Sequence, residues 1–141
     1  MNRTPNTPPL IGEHITLRFP FAQASNPVPG IPWILGLEMP RNTSVLSFGM
    51  IEEGPCVWGI CSSINVKTKS ETRFFAVVKT GQPLPSFFAT DAGEEYNWEK
   101  HGLRFIGTVQ FRAASQPNTV NVTHVFEIAP RHILTATPDL K

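Results

Sequence analysis

Charge is scarce in this chain. Asp, Glu, Lys and Arg make up 16 % of its 141 residues, against about 25 % in typical globular domains. The two signs nearly cancel, leaving a net charge of +1. A nucleic-acid-binding domain would show a basic stripe or a strongly basic balance, so nucleic acid is not an expected partner. Long apolar runs are missing too. Nothing approaches the roughly 18 consecutive apolar residues that span a bilayer, and a membrane is likewise not expected. Residues 1–12 carry Arg3 but no apolar stretch of the kind a secretory leader needs, which gives the expectation of a cytoplasmic protein, or of a fragment whose export signal lay elsewhere. Cysteine is limited to Cys56 and Cys61. On a strand, their five-residue offset puts them on opposite faces and roughly 16 Å apart. A disulfide needs Cα atoms about 4.4–6.8 Å apart, so two buried free thiols are expected. Zinc-ligand spacing, Gly-x-Ser-x-Gly, HExxH and a phosphate loop are all absent. No cofactor and no catalytic residue is predicted.

Proline is what the chain has in surplus: 14 residues, accompanied by 10 glycines. Proline in a helix interior costs about 3 kcal/mol, which excludes a helical bundle. Apolar residues at 40 %, including ten Phe and three Trp, exclude wholesale disorder. The prolines fall at the ends of apolar stretches. Pro5, Pro8 and Pro9 mark residues 1–12 as an extended arm or linker. Pro20 closes Glu13–Phe19, where Ile15, Leu17 and Phe19 alternate with His14, Thr16 and Arg18 as in a half-buried strand. Pro27, Pro29 and Pro32 make the following segment an irregular loop.

Further strands follow at Trp33–Glu38, Ser44–Ile51, Cys56–Cys61 and Thr72–Lys79. The Cys56–Cys61 strand is expected to continue through Ile64–Lys67 after a bulge at Ser62-Ser63. In Ser44–Ile51, Leu46, Phe48 and Met50 share one face. Thr72–Lys79 is dense enough to be buried on both faces at its centre. Residues 84–90 are ambiguous because of Pro85. A helix of about two turns is predicted from Asp91 as N-cap to a stop at Gly102, with Trp98 as its buried anchor. Leu103–Arg112 places Leu103, Phe105, Val109 and Phe111 on one face, with Gly107 as a bulge or close-approach site. In Val120–Ile128, Val122, His124, Phe126 and Ile128 share a face, and His124 is expected to be a hydrogen-bonded core histidine. Seven or eight short strands with one short helix predict an all-β antiparallel sandwich or jelly roll. The single domain runs over 13–136, and 137–141 form a loose tail.

The side chains with chemistry are dispersed. Asp91, Glu94 and Glu95 form an acidic cluster that suits a solvated helix start; calcium is the metal alternative there. Lys67, Lys69, Glu71 and Arg73 share one parity and read as a charged outer face or a blunted edge. Glu38 and Glu127 are the acids nearest apolar strands, with nothing to tie them into a glycosidase pair. Trp58 reads as core. Trp33, Tyr96 and Trp98 are the aromatics placed for contact with a partner or a sugar, with Asn97 and Arg104 as polar companions.

One resemblance rests on Gly102-Leu103-Arg104-Phe105-Ile106-Gly107-Thr108-Val109-Gln110-Phe111-Arg112 and on Val122-Thr123-His124-Val125-Phe126-Glu127-Ile128-Ala129-Pro130. The two runs look like the last strands of small RNA-virus capsid β-domains, and the Pro-rich arm is similar to a shell-to-spike linker. The resemblance implies a capsid or protruding surface domain located in the virion, which self-associates and contacts a host receptor or glycan. The basic RNA-binding arm common in shell proteins is missing, which favours the surface domain. A lectin-like carbohydrate-binding sandwich is the first alternative, and a small β-scaffold enzyme the second. Loops at 20–32, 52–55, 80–90 and 113–119 are the predicted contact segments.

Overall fold

In the computed structural model, residues 12–26, 30, 33–84, 93–111 and 117–129 are described. The strands are β1 (His14–Pro20), β2 (Ile34–Pro40), β3 (Ser44–Ile51), β4 (Gly54–Ser62), β5 (Ser70–Lys79), β6 (Leu103–Phe111) and β7 (Asn121–Ile128). They form two sheets, ordered β1-β4-β3 and β2-β5-β7-β6, and every pairing is antiparallel. The predicted all-β sandwich is therefore present. Residues 1–11 of the predicted arm, the residues after 129, Arg112, residues 85–90 of the ambiguous stretch and the helix cap Asp91 lie outside the described residues.

The core lies between the sheets. Val45 and Val57 from one sheet meet Leu37, Met39, Phe75, Ile106 and Val125 from the other. Phe21 follows β1 in a short 3-10 turn and wedges edge-on against Phe48 and Phe75, with ring centroids 5.6 and 5.8 Å away. β5 is buried on both faces at its centre, as its composition predicts: Phe75 and Ala76 are fully covered. Ala76 belongs to a second cluster with Ile34, Leu103 and Ile128, packed with Trp33, Phe74 and Phe126. The pairings place this cluster on the side of the four-stranded sheet that faces away from its partner sheet.

Bulges rearrange two of the predicted faces. The register of β6 shifts between Phe105 and Gly107, and one extra residue flips every later side chain. Leu103 and Phe105 consequently point away from the partner sheet, while Val109 points into it. Gly107 is the close-approach site: a Cβ there would lie 2.8 Å from the Phe48 carbonyl oxygen, so edge strands β3 and β6 meet backbone to backbone. In β3 the shift falls between Val45 and Ser47. Leu46 is left exposed and does not share a buried face with Phe48.

Three further expectations are corrected. The continuation of β4 is a helix, α1 (Ser63–Thr68), with Ile64 and Val66 exposed. Its last carbonyls are used: Lys69 N–H donates to Asn65 O, and the Asn65 side-chain amide reaches Arg41 O. The second helix, α2, spans only Trp98–His101, and Trp98 is 52 % exposed, so it anchors nothing. Gly102 does stop that helix, with φ 78°. Trp58 faces outward over Gly49 and is half-buried. The two thiols are free and buried on opposite faces of β4, as their spacing predicts. No helix among the described residues is long and apolar enough to cross a membrane.

Candidate functional site

The two open ends of the sandwich differ in chemistry. At one end the crossover from β2 to β3 turns through Asn42, whose φ is 63°. The Thr43 hydroxyl donates to Pro40 O at 2.6 Å and lies 3.3 Å from Cys61 Sγ, fully buried. Gly59 makes room for it, because a Cβ there would fall 2.5 Å from Thr43 Cγ2 and 3.3 Å from Ser44 O. Arg73 enters this end from β5. Its guanidinium donates to Glu127 through Nε (2.9 Å) and Nη2, and to Thr43 O through Nη1 (2.7 Å). Glu71 stands 3.6 Å away. Arg104 donates to Val45 O and lies 4.0 Å from the other Glu127 oxygen.

These contacts tie the four-stranded sheet to the start of β3 in the other sheet. Arg73 and Glu127 are only 15 % and 12 % exposed in their side chains. The pair therefore lost most of its hydration on folding, and two guanidinium N–H groups converging on one Glu127 oxygen, with a third on a backbone carbonyl, offset that cost. Arg73 and Glu71 share their parity with Phe75 and face the interior, which corrects the predicted charged outer face. Lys67 leaves the set altogether by lying in α1. Glu38 points the other way and accepts from Ser70 and Thr72 at 2.9 and 3.2 Å. Glu38 and Glu127 thus lie on opposite faces of one sheet, where they share no cleft.

A cleft of about 230 Å³ opens beside this latch, lined by Arg73, Trp98, Gly102, Arg104, Glu127, Ile128 and Ala129. It gathers two of the predicted contact residues, Trp98 and Arg104. The others are dispersed. Trp33 packs on the outer apolar cluster and its carbonyl accepts from Val77 N–H. Tyr96 stacks on His101 at 5.3 Å while its hydroxyl donates to Leu103 O. Desolvation of that hydroxyl pushes its pKa above the ordinary tyrosine value, although the ring itself is half-exposed. Asn97 N–H donates to His101 Nδ1 at 3.0 Å. Glu94 faces His101 Nε2 at 3.5 Å and Glu95 is exposed. Asp91 lies outside the described residues. Among those residues no cluster of three His, Cys, Asp or Glu is placed to hold a metal ion.

His124 is not a core histidine. It lies on the outward side of β7, half-buried, with its two ring nitrogens 2.7 and 2.9 Å from the hydroxyls of Thr80 and Thr108.

Among the described residues the opposite end has no such latch. Phe21, Leu35, Phe48, Met50, Pro55, Val77, Val109 and Thr123 line a cavity of about 340 Å³ there. Leu35, Phe48, Met50, Val77, Val109 and Thr123 occupy inward-facing register positions on both sheets. Phe48 and Val77 pack on the core on one side, and among the described residues the space on their other side is open. Sequence patterning misses this because each residue is a good strand residue whether or not its face is sealed. The signal for the latch was present: Arg73 and Glu127 are charges in phase with Phe75, Val77 and Val125.

A family model described as a domain of unknown function, DUF7352, matches residues 34–134. The match covers most of the chain, so the protein belongs to that family. No curated protein and no solved structure matches it.

Proposed function

We propose that this DUF7352 member is a non-enzymatic β-sandwich that acts by contact, pairing with a second copy of itself across the free edge of β1. One observation carries the reading. β1 is a seven-residue strand at the end of its sheet, and among the described residues nothing pairs with its outer edge. Its hydrogen-bond phase is set by Ser63 N–H donating to Glu13 O at 2.8 Å. Odd residues thus bond to β4, and His14, Thr16 and Arg18 turn their N–H and C=O groups outward. Such a row is a template for another strand.

Twofold pairing about Thr16 would set His14 against Arg18 and form about six hydrogen bonds. The two three-stranded sheets would become one continuous sheet. Thr16 opposite Thr16 is a favourable cross-strand pair. The low charge content supports association as well. In this reading the pairing serves assembly, in the capsid or capsid-surface setting that the resemblance implies, and exposed loops serve attachment. Size-exclusion chromatography with light scattering tests it. A dimer that Thr16→Pro converts to a folded monomer is expected, since proline removes one outward donor at a position where an edge strand tolerates it. A wild-type protein that stays monomeric up to high micromolar concentration overturns the proposal.

The cleft beside the latch favours a second reading, a glycan site. Trp98 offers an exposed aromatic face, and Arg104 and Glu127 flank it with a donor and an acceptor. Glycan-array binding that Trp98→Ala abolishes would support it; an array without hits would remove it.

A further inference from the structure

We infer that the unlatched end of the sandwich is a binding site for a small, uncharged, mostly hydrocarbon molecule of about ten carbon atoms. The chemistry of the walls sets the class. Of the eight described lining residues seven are apolar, and the Thr123 hydroxyl is the one polar side-chain group among them. Water in a cavity needs about two to four polar partners, and these walls do not provide them. An apolar occupant would instead meet the rings of Phe21 and Phe48, the side chains of Leu35, Val77 and Val109, and the thioether of Met50, with one hydroxyl left for orientation.

Volume sets the size. An apolar cavity of about 150 Å³ holds a benzene ring, so 340 Å³ suits a chain or fused ring of about ten carbons. Charge excludes the neighbouring classes. None of the described lining side chains is ionised, and the nearest cation in the register is Lys79, paired with Thr123 and exposed at the rim. The β3–β4 hairpin between the lining residues Met50 and Pro55 carries Glu52 and Glu53, both exposed, which outnumber that lysine and disfavour an anionic head. The same two glutamates would face their own copies if two molecules met through this end, so a second chain is disfavoured as occupant. The inference is independent of β1 pairing, since no residue of β1 lines the cavity.

Titration calorimetry of the full chain with 1-decanol and with decanoate is the test. Saturable, one-to-one binding of decanol is expected, with decanoate at least about tenfold weaker. Val109→Phe fills the cavity from a half-buried position and should weaken decanol at least about tenfold while thermal stability is kept. Met50→Lys, at a rim position that is 46 % exposed, is the second variant; it should narrow or reverse the preference for decanol over decanoate. Absence of saturable decanol binding overturns the inference. So does equal binding by wild type and Val109→Phe, or a decanoate preference in the wild type.

Discussion

The two ends of this sandwich are built from the same strands and solve the same problem in opposite ways. At one end, interior positions of β5, β6 and β7 carry Arg73, Arg104 and Glu127; the two arginines donate across to the backbone carbonyls of Thr43 and Val45, and Glu127 accepts from Arg73. At the other end, the equivalent positions carry Val77, Val109 and Thr123, which make no such polar tie among the described residues and line the cavity. A small sandwich needs each sheet to cover the other. Here the cover is complete around Val57, Phe75 and Val125, which are fully buried, and incomplete two residues further along β5 and β7. Structural cohesion and binding capacity are thereby separated along a single strand pair.

The largest expected effect breaks the latch. Glu127→Ala leaves the Arg73 guanidinium nearly buried with Glu71 at 3.6 Å as its remaining acid. Removing one partner of such a pair costs about 3 kcal/mol, to be read from denaturant unfolding. Decanol binding at the far end should persist in conditions where the variant is folded. Next comes Gly59→Ala, which drives a methyl into Thr43 Cγ2 and toward the Ser44 carbonyl oxygen. Overpacking against backbone should cost about 2 kcal/mol, and the same measurement checks it.

The smallest effect sharpens the comparison through pH. Tyr96 bonds to the first residue of β6, on the latch side, and its pKa is raised by desolvation. A raised pKa in the folded state means that the contribution is fully present below the unfolded tyrosine value of about 10 and is lost as pH climbs through the folded value. Tyr96→Phe should therefore flatten the alkaline loss of stability slightly, seen by comparing thermal melts on either side of pH ~10.

Strand positions were legible because proline and alternation mark them independently: Pro20 and Pro40 end β1 and β2, and Lys79-Thr80-Gly81 ends β5. Faces were less legible. A bulge carries no strong local signature, so the shift after Phe105 exchanged the inner and outer sides of β6. Ile64-Asn65-Val66 alternates like a strand, yet tertiary context makes it a helical turn anchored by Asn65 on Arg41. Of the contact residues, Trp98 and Arg104 converge because α2 immediately precedes β6; Trp33 does not, because Ile34 draws it onto the outer cluster. The cavity depends on how far the other described residues cover Val77 and Val109, which are half-buried, and local alternation does not record that.

The most direct test of the difference between the ends removes the same atoms from each. Val57→Ala and Val109→Ala delete identical groups from inward-facing positions, one fully buried in the sealed half and one half-buried at the cavity wall. Urea unfolding of the two variants should show a loss of about 2 kcal/mol for Val57→Ala and under about 1 kcal/mol for Val109→Ala. Equal losses would mean that the far end is packed like the core, and would contradict the account.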